Sequence, residues 1–146
     1  MARERRGDAG HRAVADRLHS IAIHLLRRVA EADVSSGVSG PRLSVLSVLV
    51  LGGGPRTVGS LARAERVRPP TMTRLVQAME AEGLVSRAPA PADGRASLIE
   101  ATPAGERILR EARARRLEVL RRLLEGASPA EMLAVERAVE ILERKL

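Results

Sequence analysis

Cysteine is absent from the 146 residues, and so are phenylalanine, tyrosine and tryptophan. Without thiols the chain can form no disulfide, thiolate metal site or cysteine-based redox sensor. Without rings it lacks the stacking platforms on which single-strand binders and sheet-based RNA modules depend. Any ligand pocket would be lined by aliphatic side chains, methionine and arginine stems. Long hydrophobic runs are missing too. The apolar stretches fall well short of the ~20 residues that span a bilayer, and the arginine-rich start has no apolar stretch of the signal-peptide kind. A cytoplasmic protein with no membrane partner is expected. The three histidines, His11, His19 and His24, lie in or before one helical segment. His19 and His24 are off the i, i+4 spacing that would set two ligands on one face, so neither a metal nor another cofactor is expected. Nor is an enzyme, because a glycine-rich phosphate loop, a nucleophile motif and a histidine near a serine and an acid are all lacking.

Lysine is nearly absent. Of 25 basic residues only Lys145 is a lysine, and the formal net charge is +7. Arginine suits bidentate contact with phosphates and guanine edges, but an Ala- and Arg-rich chain also follows from a G+C-rich genome. The excess is spread along the chain, so charge alone locates no binding face. The length fits one domain with a core that needs no staples.

Residues 1–10, "MARERRGDAG", mix charge with glycine and have no apolar period, which predicts a disordered basic tail. From His11, the positions Val14, Leu18, Ile21, Leu25 and Val29 recur at three- and four-residue steps, an amphipathic helix. In "PRLSVLSVLVLGGG", Pro41 fits a first helical turn and Leu43, Leu46 and Val50 share a face, although the valines also permit a strand. Thr57 suits the N-cap of a short helix. The prolines Pro69 and Pro70, harmless only in a first turn, then mark a second helix start. In it Met72, Leu75, Val76 and Met79 make one apolar face, while Thr71, Thr73, Arg74 and Gln77 point elsewhere. Gly83 closes it. "LVSRA" and "ASLIEA", separated by "PAPADG", read as a hairpin. Thr102 and Pro103 cap a further helix. "SPAE" from Ser128 forms a capping box opening a last one, in which Met132, Val135, Val139, Leu142 and Leu146 form a seam for another helix.

A short helix, a tight turn, a second helix and a hairpin are the order of a winged helix-turn-helix, whose second helix reads the major groove from its N-terminal residues. Arginine can read guanine, glutamine adenine, and threonine can bond a phosphate or meet a thymine methyl. The same four polar residues would also face outward on any surface helix, and Asp-Gly is an ordinary turn dipeptide.

The stretch from Leu61 to Gly105, with "LA", "TR", "EGLV", "DGRASL" and "TPAG", resembles the MarR family of transcriptional regulators. The resemblance implies a mainly α fold with a small β-hairpin wing, a winged helix-turn-helix over about 40–102, and N- and C-terminal dimerisation helices over about 11–33 and 103–146. It implies a homodimeric, sequence-specific regulator of double-stranded DNA with a palindromic operator, a repressor by family habit, and a possible small-molecule effector. The implied DNA-contacting residues are Arg68, Pro70, Thr71, Thr73, Arg74, Gln77, Arg87, Asp93, Arg95 and Ser97. In the family's wing an arginine enters the minor groove and an aspartate orients it, here Arg95 and Asp93. The position between them, commonly basic in the family, is Gly94, so a phosphate contact is expected to be missing there. A winged helix that binds another protein is the alternative reading.

Overall fold

The computed structural model describes the backbone of residues 2–34, 37–90 and 93–146 and the side chains of residues 10–33, 37–88 and 97–146. In chain order the elements are α1 (Ala2–Val34), α2 (Gly40–Leu51), β1 (Arg56–Thr57), α3 (Val58–Ala64), α4 (Pro69–Ala81), β2 (Val85–Ala90), β3 (Asp93–Ala101), α5 (Pro103–Leu123) and α6 (Pro129–Glu143). The expected mainly helical winged helix-turn-helix is what the chain forms, with long helices at both ends.

Three readings need correction. The segment expected as a disordered tail is helical in its backbone from Ala2 onward; Ala, Arg and Glu there are good helix formers and extend the periodic segment that follows. Val50 is 38% exposed rather than buried, and the inward face of α2 is made by Leu43, Val45, Leu46 and Leu49. A third strand, β1, precedes α3 and pairs antiparallel with β3, Arg56 opposite Ile99 and Thr57 opposite Leu98. Two residues carry no alternation, so no periodicity could announce it. The sheet order is β1-β3-β2.

With no rings to fill it, the core is aliphatic. Leu46 from α2, Leu61 from α3, Met72, Val76 and Met79 from α4 and Ile99 from β3 are at most 1% exposed and belong to one cluster. Methionine, unbranched and flexible, suits the irregular gaps that branched side chains leave.

Thr102 welds the wing to this core. Its hydroxyl donates to the Gly83 carbonyl at 2.6 Å and accepts from the Gly105 N–H at 3.1 Å, while its own N–H donates to the Leu84 carbonyl at 3.1 Å. One residue thus caps α5 and pins the turn that follows α4. Gly83 makes that turn with φ +69°, a left-handed conformation that glycine adopts without strain. Gly105 is required for a different reason. A Cβ there would stand 2.2 Å from the Leu84 carbonyl oxygen and 2.9 Å from Leu46 Cδ2.

Helix α1 packs along α5. Near its end Asp33, 8% exposed, accepts a fork from Arg116 of α5, with Nε–Oδ1 at 2.9 Å and Nη2–Oδ2 at 2.7 Å. The hydrogen bond to Asp33 raises the pKa of Arg116 above its usual value.

Gly105→Ala should lower stability by about 1–3 kcal/mol, the usual penalty of an overpacked core. It would be read as a lower urea midpoint at unchanged m value. An unchanged midpoint would show that the turn after α4 yields freely.

Candidate nucleic-acid interface

The helix-turn-helix begins at Thr57, whose side chain accepts the Ser60 N–H at 3.2 Å and so fixes the start of α3. After α3 the chain reverses tightly: Val67 N–H reaches back to the Ala62 carbonyl at 3.0 Å and Arg66 N–H to that of Arg63 at 3.2 Å. Arg68 is extended and serves as N-cap of α4, with Pro69 and Pro70 filling the first helical positions. Thr71 and Met72 donate their N–H groups to the Arg68 carbonyl at 3.0 and 3.2 Å. No acidic side chain lies in the first turn of α4.

One face of α4 is sealed by Met72, Val76 and Met79, with Leu75 half-buried beside them. Thr71, Arg74 and Gln77 therefore stand exposed on the other face, together with Arg68 and Pro70 at its start. Thr73 is partly withdrawn, because its hydroxyl donates to the Pro69 carbonyl at 3.0 Å. Its proton is committed, which leaves the oxygen lone pairs and the methyl for any contact.

In the wing, β2 and β3 pair from Val85 opposite Ala101 to Ala90 opposite Asp93, with a register shift between Pro89 and Ala90. The backbone of Asp93, Gly94 and Arg95 opens β3. The side chains of Asp93 and Arg95 lie outside the described residues. Ser97 is half-buried and paired opposite Pro89. Arg87 has an ion pair of 3.4 Å with Glu80, which ties β2 to α4. In the free chain this arginine holds the wing against the helix.

Two arginines that the sequence reading passed over immediately precede α4 in the helix-turn-helix. Arg63 ends α3 and Arg66 occupies the turn; both are exposed. Like Arg68 and Arg74, they have no carboxylate partner among the described residues, whereas Arg42 and Arg87 are held by Glu82 and Glu80. Sorting the charges of this segment by possible partner would have drawn attention to them.

Away from the winged helix the terminal helices expose large apolar side chains among their charged ones. No residue of α6 is buried, and its capping box at Ser128 and Glu131 opens a helix whose Val139 is 48% and Leu142 39% exposed. Between α1 and α5 lies a cleft of about 610 Å³ lined by His24, Arg27, Arg28, Val119, Arg122 and Leu123, among others. Arg122 donates to Glu118 at 2.9 Å. Arg121 and Arg122 together draw the Glu118 carboxyl down to about 2.

A model of the MarR family matches residues 36–96. An uncharacterized HTH-type transcriptional regulator of Mycobacterium bovis is 35% identical over 135 residues, which cover 92% of this chain and 93% of the relative. The solved structure of a MarR family protein from Bacillus stearothermophilus superposes with a TM-score of 0.77 at 30% identity, covering 92% of this chain and 96% of that one. The chain belongs to the MarR family.

Wild-type MarR from E. coli, in its apo form, shares the fold with a TM-score of 0.68 at 19% identity, over 86% of this chain and 93% of that one. As a MarR-family winged helix-turn-helix the chain is a DNA-binding regulator of transcription. No helix among the described residues is long and apolar enough to cross a membrane.

Proposed function

We propose that the chain is a homodimeric, sequence-specific repressor that reads a palindromic operator and is released by a small-molecule effector. The observation that carries this reading is the two-faced α4. Its exposed Thr71, Arg74 and Gln77 stand opposite a sealed apolar face, on a helix that starts at two prolines with no acid in its first turn. Arg74 is the guanine reader, Gln77 the adenine reader, and Thr71 meets a phosphate or a thymine methyl. Arg95 enters the minor groove, where a narrow A·T tract concentrates negative potential, and Asp93 limits the orientations it must give up on binding. Arg87 and Ser97 flank this contact from the hairpin.

The homodimer is supported by the uncovered seam. Val14, Leu18 and Ile21 of α1, Leu117 of α5 and Val139 and Leu142 of α6 are exposed, apolar side chains of the kind that mark an interaction surface, and a second copy covers them. The cleft between α1 and α5 is large enough for a small effector, and its lining mixes the basic Arg27 and Arg28 with Glu31 and the apolar Val119 and Leu123.

Retardation of the region upstream of the chain's own coding sequence tests the reading. Arg74→Ala should cost about 1–3 kcal/mol on the preferred operator and relax selectivity at one base pair per half-site. Equal weakening on every sequence would make Arg74 a phosphate contact, and flat behaviour of the parent on all DNA would favour a protein-binding module instead. Val139→Lys combined with Leu142→Lys should weaken the dimer and operator binding together; a monomer mass for the parent in light scattering at micromolar concentration would remove the dimer. Asp93→Ala should weaken operator binding at fixed salt although it removes a negative charge. Tighter binding by that variant would leave Asp93 as a turn residue only.

A further inference from the structure

Six residues among those described adopt the left-handed backbone region: Gly37, Gly53, Gly54, Gly83, Gly126 and Arg66, the last with φ +54°. There a Cβ crowds the following carbonyl oxygen, and glycine is the ordinary occupant. The reversal between α3 and α4 imposes this conformation, since the Ala62–Val67 and Arg63–Arg66 hydrogen bonds close only around a left-handed residue. Here a long basic side chain takes that position, and the turn is closed by backbone hydrogen bonds in which it has no part. Arg66 is exposed, and its guanidinium has neither a carboxylate nor a backbone acceptor among the described residues. A non-glycine residue held in this region is a pointer to function.

The position is informative. Arg66 lies two residues before the N-cap of α4, between Arg63 and Arg68, which are likewise exposed and have no carboxylate partner among the described residues. A helix that enters the major groove carries its preceding turn to the groove's rim, where the partner is a phosphodiester rather than a base edge. A guanidinium offers the fork of donors that two phosphate oxygens accept.

We propose that Arg66 is a DNA phosphate-binding residue, held in a strained turn so that its guanidinium grips the backbone beside the groove that α4 enters. This rests on the DNA-binding reading above and adds a sequence-independent contact to it.

The test uses the full chain in anisotropy titrations from ~0.05 to ~0.3 M salt, against the duplex upstream of its own coding sequence and a scrambled duplex of the same composition. Arg66→Gly relieves the strain and removes the charge, so stability and binding should move in opposite directions. Its Tm should rise by about 2–4 °C. Affinity for both duplexes should fall by the same factor, roughly fivefold per lost contact at ~0.15 M salt, and the salt slope should flatten by about 0.9 per contact. Arg66→Lys, which keeps the charge and the strain, should retain the parent slope. An unchanged slope in Arg66→Gly, a loss confined to one duplex, a lysine variant as weak as the glycine one, or a lower Tm for the glycine variant each overturns the proposal. A parent that binds neither duplex fails the underlying reading instead, which is a distinguishable result.

Discussion

The burial of three side chains, Met72, Val76 and Met79, decides which way α4 faces, and the functional surface follows from it. They are spaced four and three residues apart and are at most 1% exposed, so the rotation of the helix about its axis is settled by apolar packing against α3 and β2 within the shared core. Residues 71, 74 and 77 sit three apart and about half a turn away. Their exposure is a geometric consequence of the core and needs no separate stabilisation. Thr102 extends the same constraint to the wing. By bonding the turn after α4 and the first turn of α5 through one hydroxyl, it sets the hairpin's base relative to the helix.

The rest of the molecule is organised differently. Around α2, α3 and α4 most of the apolar residues are buried within the chain, Val50 and Leu51 at the end of α2 excepted; along α6 none is buried. What anchors α1 to α5 includes a forked, largely buried ion pair between Asp33 and Arg116. Such a pair is weak evidence for net stability, because desolvation offsets much of the attraction, but breaking one half leaves a buried charge and is costly. It therefore specifies the register of α1 on α5 more than it strengthens the contact. A fixed register matters wherever the outer faces of these helices must meet a second copy in one arrangement.

Most of the architecture was legible because its signals are local. Thr57, Thr102 and Ser128 cap the helices they were expected to cap, and Pro69 and Pro70 open α4, since these features depend only on residues within one turn. The hairpin was readable from its two extended runs around a Pro- and Gly-containing turn. What escaped was non-local or unpatterned. Strand β1 exists only because β3 lies beside it. Val50 falls outside the buried face because the partners of α2 favour Val45 and Leu49. For the interface, the exposed row on α4 was legible from periodicity, whereas the pairing of Arg87 with Glu80 depends on how the wing folds against the helix.

Charge shows the same limit in another form. Summed along the sequence, the +7 excess points nowhere, but pairing in three dimensions sorts it. On α5, Arg107, Arg110, Arg121 and Arg122 meet glutamates three or four residues away, and Arg116 meets Asp33. Exposed pairs of this kind add little stability; they offset part of the positive charge of α5, on which Arg113 and Arg115 have no carboxylate partner among the described residues. Around the helix-turn-helix Glu80 and Glu82 are engaged by Arg87 and Arg42, and Arg63, Arg66, Arg68 and Arg74, which outnumber the neighbouring Glu65, have no carboxylate partner among the described residues. Positive potential is thereby left where α4 and its preceding turn project, and a polyanion approaching the molecule is drawn toward that face before any base is read. Steering thus arises from which arginines lack a glutamate, a property of the fold that no count of residues contains.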